Sequence, residues 1–370
     1  MTGLVATRRA VLGAAALSLL APRTARAAGI ALADPRAHKA ARALARLLDG
    51  FSAAKTLAVG QQLNVNGDDP FGPLTALDAL ADRVRVLGWT TNEWQYAVRH
   101  GYNQQVLGDL VERAQAGDVL VTSWYPRNPR TKAGAHDRPG PKVVRQVLTD
   151  GTPERRRFLA EFDHEVAPYL LQLQEAGVAT VFRPLIEANS YWFWWGCDNG
   201  RGGSAAWRSG VRKLYRLVQK RAWARGIHNV LWCCSFVPGS DYNAADPVAT
   251  RPAAYDLAGL SSYDIEAAGD DADELVLGSY DAMAAVSPRM ALAEVGPANS
   301  DGSWDPAVVT TGLRAAGAAP AYGMFWFDDG AFDPTDTEGA SVAGVKQISS
   351  LAGGPAWLAT ASEEGLVYVG

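Results

Sequence analysis

Short runs of β-branched and other apolar residues alternate along this chain with longer stretches whose apolar positions recur every three or four residues. Eight of the short runs read as strands: TLAVGQQ from Thr56, VRVLGW from Val84, DVLVTSW from Asp118, ATVFRPLIE from Ala179, NVLWCCS from Asn229, LAGLSSYD from Leu257, MALAEVG from Met290 and AYGMFWF from Ala321. Helical segments fill the intervals. In RRRFLAEFDHEVAPYLLQLQEAG the apolar positions Phe158, Phe162, Val166, Tyr169 and Leu173 share one helical face. WRSGVRKLYRLVQKRAWARG behaves the same way and ends on Gly226, a residue suited to a helix C-terminus. Strand–helix alternation is the pattern of a parallel sheet with crossover helices, and eight repeats predict a single α/β domain, a closed (β/α)8 barrel. The competing open, doubly wound sheet calls for a glycine-rich phosphate turn after the first strand. VGQQLNVNG does not supply one.

A barrel of this kind carries its chemistry at the C-terminal ends of its strands. Polar and aromatic residues collect there: Gln61 and Gln62, Asn92 and Glu93, Trp124 and Tyr125, Glu187, Ser235, Tyr263, Glu294, and Trp326 through Asp329. Glu187 closes the fourth predicted strand and Glu294 the seventh, so the two face each other across the mouth. Hydrolysis of a glycosidic bond needs such a pair, one carboxyl to protonate the leaving oxygen and another on the opposite side of the bond. A spacing of about 5 Å would let the second carboxylate attack directly, with retention of configuration. Strand alternation predicts that Arg183, Leu185 and Glu187 share one face, which sets a permanent cation beneath the carboxylates. Tyr263 is positioned to donate a hydrogen bond to Glu294.

Apolar faces of sugar rings pack on indole, and this chain has 12 Trp. Trp89, Trp94, Trp124, Trp192, Trp194, Trp195 and Trp326 fall at or just beyond strand ends, with Trp194 or Trp195 expected to serve packing. Asp328 and Asp329 are candidates for binding sugar hydroxyls.

The stretch FRPLIEANSYWFWWG, Phe182 to Gly196, resembles the R-P-x-H-E-x-N-x-x-W-F-W-W-G signature of glycoside hydrolase family 26, best represented by β-mannanases. VGQQ, TSWYPRNP, NVLWCCSFVPG, GLSSYD, LAEVG and MFWF resemble that family's other strands in the same order. The resemblance implies a retaining (β/α)8 hydrolase of β-1,4-mannosidic linkages, with Glu187 as acid/base, Glu294 as nucleophile and Tyr263 orienting the nucleophile; Arg183 joins them, from the strand reading above, as electrostatic support. It further implies Trp326 as a platform under the sugar at the cleavage point and Trp192 on the aglycone side. Trp124, Tyr125, Asn189 and Asp328 complete the expected substrate contacts. Two positions depart from the family: Ile186 stands where it carries His before the acid/base, and Tyr125 where its third strand ends in a second His. A xylan or a mixed-linkage glucan is therefore an alternative substrate, and a carbohydrate-binding barrel without turnover is a further one.

Residues 1–27 stand apart. A basic start with Arg8-Arg9, a short apolar core and the small-residue site at Ala25–Ala27 read as an export signal of twin-arginine type, leaving 28–370 as the catalytic domain. Export predicts a periplasmic or extracellular location. The segment holds four arginines and no acid, so the net charge falls from −4 to −8 without it. An acidic surface argues against a nucleic-acid partner and leaves a polysaccharide or oligosaccharide as the expected one. The histidines (His38, His100, His136, His164, His228) are scattered, and no metal or cofactor is expected. Cys197, Cys233 and Cys234 allow one disulfide.

Overall fold

In the computed structural model, eight parallel strands close on themselves: β1 (Thr56–Gln62), β2 (Val86–Thr90), β3 (Val119–Trp124), β4 (Thr180–Pro184), β5 (Val230–Phe236), β6 (Leu257–Asp264), β7 (Met290–Pro297) and β8 (Tyr322–Phe325). Each pairs with its successor, β8 pairs with β1 through Ala58–Gln61, and β1 pairs with β2 from Gly60 to Gln62. The structure describes residues 31–64, 69–138, 142–197, 203–239, 244–264, 273–330 and 344–370. The predicted export segment lies outside them. Leu32–Gly370 form one compact unit. Among the described residues, no helix is long and apolar enough to cross a membrane.

All eight predicted strands are present. Their apolar side chains are buried both inside the barrel and under the helices, which is why they read as nearly continuous apolar runs. The interior is crowded. A side chain at Gly88 would overlap the side chains of Gln62 and Met324, which would have to move to admit it. A three-residue strand, β9 (Leu366–Tyr368), adds antiparallel to the start of β1.

The helical faces follow their sequence pattern. Phe158, Phe162, Val166, Tyr169 and Leu173 are all buried. Their segment is one run, Pro153–Glu161 continuing to Ala167–Glu175 through a wide π turn at Phe162–Val166. Pro168 has no N–H to give the preceding turn, which accounts for the widening. Helix Ala205–Ala224 starts on Ser204, whose hydroxyl accepts from Trp207 N, and ends just before Gly226 at φ 80°. Cys233 and Cys234 are buried thiols of β5, while Cys197 packs apart from Cys234, against Trp207 and Val211. The disulfide that the sequence allows is not made.

Candidate active site

The strand ends bring Glu187, Glu294, Arg183 and Tyr263 together at one mouth of the barrel. Arg183, on β4, is fully buried and reaches across to β7. Its guanidinium donates to Glu294 Oε1 at 2.6 Å, to the Ala293 carbonyl at 3.2 Å and to Ser235 Oγ on β5 at 3.1 Å. Burial opposes its charge more than any one neighbour favours it, but Glu294 together with Tyr125, Cys233 and Tyr322 more than offsets burial, so the pKa is raised and Arg183 stays a cation. Tyr263, on β6, donates to the other oxygen, Glu294 Oε2, at 2.8 Å. Burial, then the charge of Glu294, push its phenol well above the ordinary range, so it remains a donor. Both oxygens of Glu294 are thus held by separate donors on separate strands.

A local irregularity aims Glu294. Leu260 pairs with Leu292 but Ser261 pairs with Glu294, so β7 carries one extra residue at this point. Such a bulge turns the following side chain away from its regular direction. The extra residue, Ala293, gives Arg183 its carbonyl.

Glu187 is aimed by the turn after β4. The strand stops at Pro184, and Leu185 and Glu187 both adopt left-handed backbone, at φ 54° and 49°. Regular alternation of Arg183, Leu185 and Glu187, expected from the sequence, is therefore not observed: Leu185 instead lines a small cavity with Tyr215, Cys234 and Met283. Non-glycine residues in this conformation carry a conformational cost and concentrate at functional sites. Glu187 is buried, and its Oε2 accepts from the Trp192 indole N–H at 2.8 Å. Burial first, then the negative charge of Glu294, raise its pKa to about 7; the nearby Ser261 hydroxyl, Trp192 and Arg183 pull the other way. The two carboxyls thus occupy contrasting environments, the arrangement that separates an acid from a nucleophile.

Beside them lies a cleft of about 580 Å³ lined by Glu93, Tyr125, Trp326 and Phe327 among others. Trp326 is half-buried and stacks on Phe327 with ring centroids 5.1 Å apart. Its carbonyl is fixed by the Gln61 side chain at 2.9 Å. Tyr125 is half-buried, edge-on to Phe193. Its phenol is raised by burial and then by Glu294, which marks it as a neighbour of the carboxyl pair. Glu93 caps the helix Thr91–His100, accepting from Thr90 N at 2.7 Å, and burial raises it to about 8.

Two expected substrate contacts, Trp124 and Asn189, need correction, and other predicted residues have partners in the protein itself. Trp124 is buried, with its ring packed on Phe158 and Phe162, because alternation turns it outward beneath the helices while Tyr125 turns to the cleft. It does not line the cleft. Asn189 is buried and ties loops together: its amide donates to the Val237 and Ala245 carbonyls, both at 2.9 Å, and its oxygen accepts from Val237 N at 3.0 Å. Asp328 spends Oδ1 on the backbone N–H groups of Lys346 and Gln347, and Asp329 pairs with Lys346. Of the strand-end tryptophans, Trp89, Trp94, Trp124, Trp194 and Trp195 are buried, leaving Trp192 and Trp326 as half-exposed surfaces. Ile186, where the family carries His, is also buried. The bond from Trp192 to Glu187 and the role of Ser235 were not foreseen. A tryptophan five residues after a strand-end acid was the only sequence signal for the former.

Among the described residues, no group of three or more His, Cys, Asp or Glu is arranged to hold a metal ion. The model for glycosyl hydrolase family 26 matches residues 34–349. The chain belongs to this family. A family 26 assignment agrees with the strand-end carboxyl pair and its donors. The chain is 28% identical over 248 residues to a mannan endo-1,4-beta-mannosidase of Bacillus subtilis, covering 62% of this chain and 61% of the relative. A second such relative, from Bacillus subtilis strain 168, is 26% identical over 60% of this chain and 59% of its own length. The match thus spans about three fifths of these relatives. Among solved structures, Bacillus subtilis mannanase man26 superposes with a TM-score of 0.65 at 19% identity, over 81% of this chain and 89% of the other. A beta-mannanase from a symbiotic protist of the termite Reticulitermes speratus, complexed with gluco-manno-oligosaccharide, gives 0.60 at 21% identity over 81% and 88%. At these identities the superpositions speak for the barrel fold of this family 26 chain.

Proposed function

We propose that this protein is a retaining endo-β-glycanase that hydrolyses β-1,4-mannosidic linkages. The observation that carries this reading is the contrast between the two carboxyls: Glu294 gripped by Arg183 and Tyr263, and Glu187 buried with a pKa of about 7. Glu187 then holds a proton to give at neutral pH, and Glu294 has two donors that support its negative charge.

In the first step an oxygen of Glu294 attacks the anomeric carbon while Glu187 delivers its proton to the departing glycosidic oxygen. The Trp192 indole occupies Oε2 of Glu187, which leaves Oε1 to carry the transferred proton. The bond to the leaving sugar breaks and a glycosyl ester on Glu294 forms. In the second step Glu187, now a carboxylate, takes a proton from water as that water attacks the same carbon, and Glu294 is released. Two inversions give net retention. Trp326 offers its ring face to the sugar at the cleavage point.

Mannan is favoured by the curated relatives, which are mannan endo-1,4-beta-mannosidases. A different β-glycan, xylan or mixed-linkage glucan, is the second reading, because Tyr125 and the buried Ile186 replace two imidazoles that would contact ring hydroxyls. A site without those contacts discriminates weakly between epimers. Reducing-sugar release from linear mannan, galactomannan, glucomannan, xylan and mixed-linkage glucan separates the readings. Preference for a mannan supports the first and release from xylan or mixed-linkage glucan alone the second. No release from any defeats both. Residues 1–27 are proposed to direct export of the folded enzyme, which N-terminal sequencing of secreted material, expected to begin at Ala28, would test.

A further inference from the structure

One wall of the cleft is not used by the carboxyl chemistry. It is built by the segment RNPRTKAGAHDR, Arg127 to Arg138, which follows β3, together with the helix Thr91–His100. That segment carries Arg127, Arg130, Lys132 and Arg138 against one acid, Asp137, in a chain whose net charge is −4. The wall is therefore opposite in sign to the protein as a whole.

The segment is pinned. Asn128 is fully buried; its amide donates to the Asp137 carbonyl at 2.6 Å and its oxygen accepts from Arg130 N at 3.0 Å. Trp194 N donates to the Ala135 carbonyl at 3.0 Å and Trp194 Nε1 to the Pro126 carbonyl at 2.8 Å. Lys132 is held in left-handed backbone, φ 68°, by its N–H bond to Asn128 O at 2.8 Å. A lysine kept in that conformation at the lip of a cleft is a residue presented at a cost.

Some neighbouring charged groups already have partners. Arg127 makes a two-pronged pair with Glu165, at 2.7 and 3.0 Å. Asp137 accepts the Thr131 hydroxyl. Glu93, the carboxyl on this wall, is buried and raised to about 8 by that burial, so it adds little negative charge at pH 7. Burial lowers His136 from its ordinary value. Of the three cations that line the cleft, Arg127 is paired and two are left: Lys132 on the segment and Arg99 on the helix, the latter 5.9 Å above the Tyr96 ring. Neither makes an ion pair among the described residues. Hydroxyl groups need hydrogen-bond partners but no counter-charge, so a neutral glycan leaves both cations without a use.

From this geometry we infer that the cleft accepts a β-glycan carrying uronic acid carboxylates, with Arg99 and Lys132 as their counter-charges. The inference rests on the glycosidase reading and names its substrate class. Sugar units bound beyond Trp326 and Tyr125 would bring a carboxylate to this wall.

The test uses the Glu294→Gln protein, whose amide still offers an oxygen to Arg183 and Tyr263 while turnover is removed. Its affinity is measured for linear β-1,4-mannan and for the same polymer after partial oxidation of C6 to carboxylate. A parallel arm compares glucuronosyl-branched xylan with its carboxyl-reduced form, so backbone and branch carboxylates are told apart. Partly exposed ion pairs contribute a few-fold each, so about tenfold tighter binding of the acidic member is expected in at least one arm. High salt should reduce that preference. Adding Arg99→Ala with Lys132→Ala should bring the ratio to about one, while Arg130→Ala, on the same segment but outside the cleft lining, should leave it. Equal affinity within both pairs, or a preference that survives loss of both cations, overturns the inference. Cleavage by the unmodified enzyme reports separately on the glycosidase reading: turnover without a charge preference sinks only the inference.

Discussion

Replacing Trp192 by Phe asks how the proton on Glu187 is tuned. The indole N–H donates to Glu187 Oε2 at 2.8 Å. A donor stabilises the carboxylate more than the acid, so removing it should raise a pKa that already stands at about 7. A hydrogen bond to a charged acceptor contributes about 1.5–3 kcal/mol, and one pKa unit corresponds to about 1.4 kcal/mol. The full effect would be about 1 to 2 units. Trp192 is half-buried, and water entering beside a phenyl ring recovers part of the interaction, so a shift of about one unit is expected. The assay is kcat/KM against pH. Activity of the unmodified enzyme should fall as pH rises through about 7, because the acid form of Glu187 is being lost. In the variant that alkaline limb should move upward by about one unit, even as the plateau drops through looser positioning of the acid. A limb that stays in place, or moves to lower pH, would refute the assignment of Glu187 as the group whose proton controls the rate.

Glu187→Ala should slow cleavage of polysaccharide by about 100- to 10,000-fold while sparing activated aryl glycosides, whose leaving groups need little protonation. Equal losses on both would move the acid elsewhere. Arg183→Met should lower stability to urea by about 3–5 kcal/mol, because it strands buried Glu294 beside a missing cation; a loss below about 1 kcal/mol, the range of a surface pair, would mean the pair is not load-carrying. Trp326→Ala should weaken catalysis and leave the thermal midpoint nearly unchanged, since its ring is half-exposed to the cleft. Failure to fold would make Trp326 a core residue.

The barrel was legible because burial on both faces leaves each strand as an apolar run with a polar end, visible without any neighbour in space. Glu187, Glu294 and Tyr263 were legible for the same reason: each was read at a strand end, and eight-fold closure brings those ends together; Arg183 was reached through a strand alternation that stops at Pro184. What escaped depends on departures from regularity. The bulge at Ala293 and the left-handed turn at Leu185 and Glu187 aim the two carboxyls, and neither has a period in the sequence. Trp124 and Tyr125 differ by one position and so by one face, which composition cannot register. Asn189 looks like a sugar ligand by residue type, yet its three hydrogen bonds all go to loop backbone. β9 is three residues long and leaves no pattern to read.

Trapping the covalent intermediate tests the central claim most directly. A 2-deoxy-2-fluoro glycoside with a good leaving group forms the glycosyl ester quickly and hydrolyses it slowly, so the labelled residue can be found by peptide mass spectrometry. The geometry at β7, where Arg183 and Tyr263 hold both oxygens of Glu294, predicts one label, on Glu294. A label on Glu187 or Glu93, or turnover that inverts the anomeric centre with no label on any acid, would contradict it.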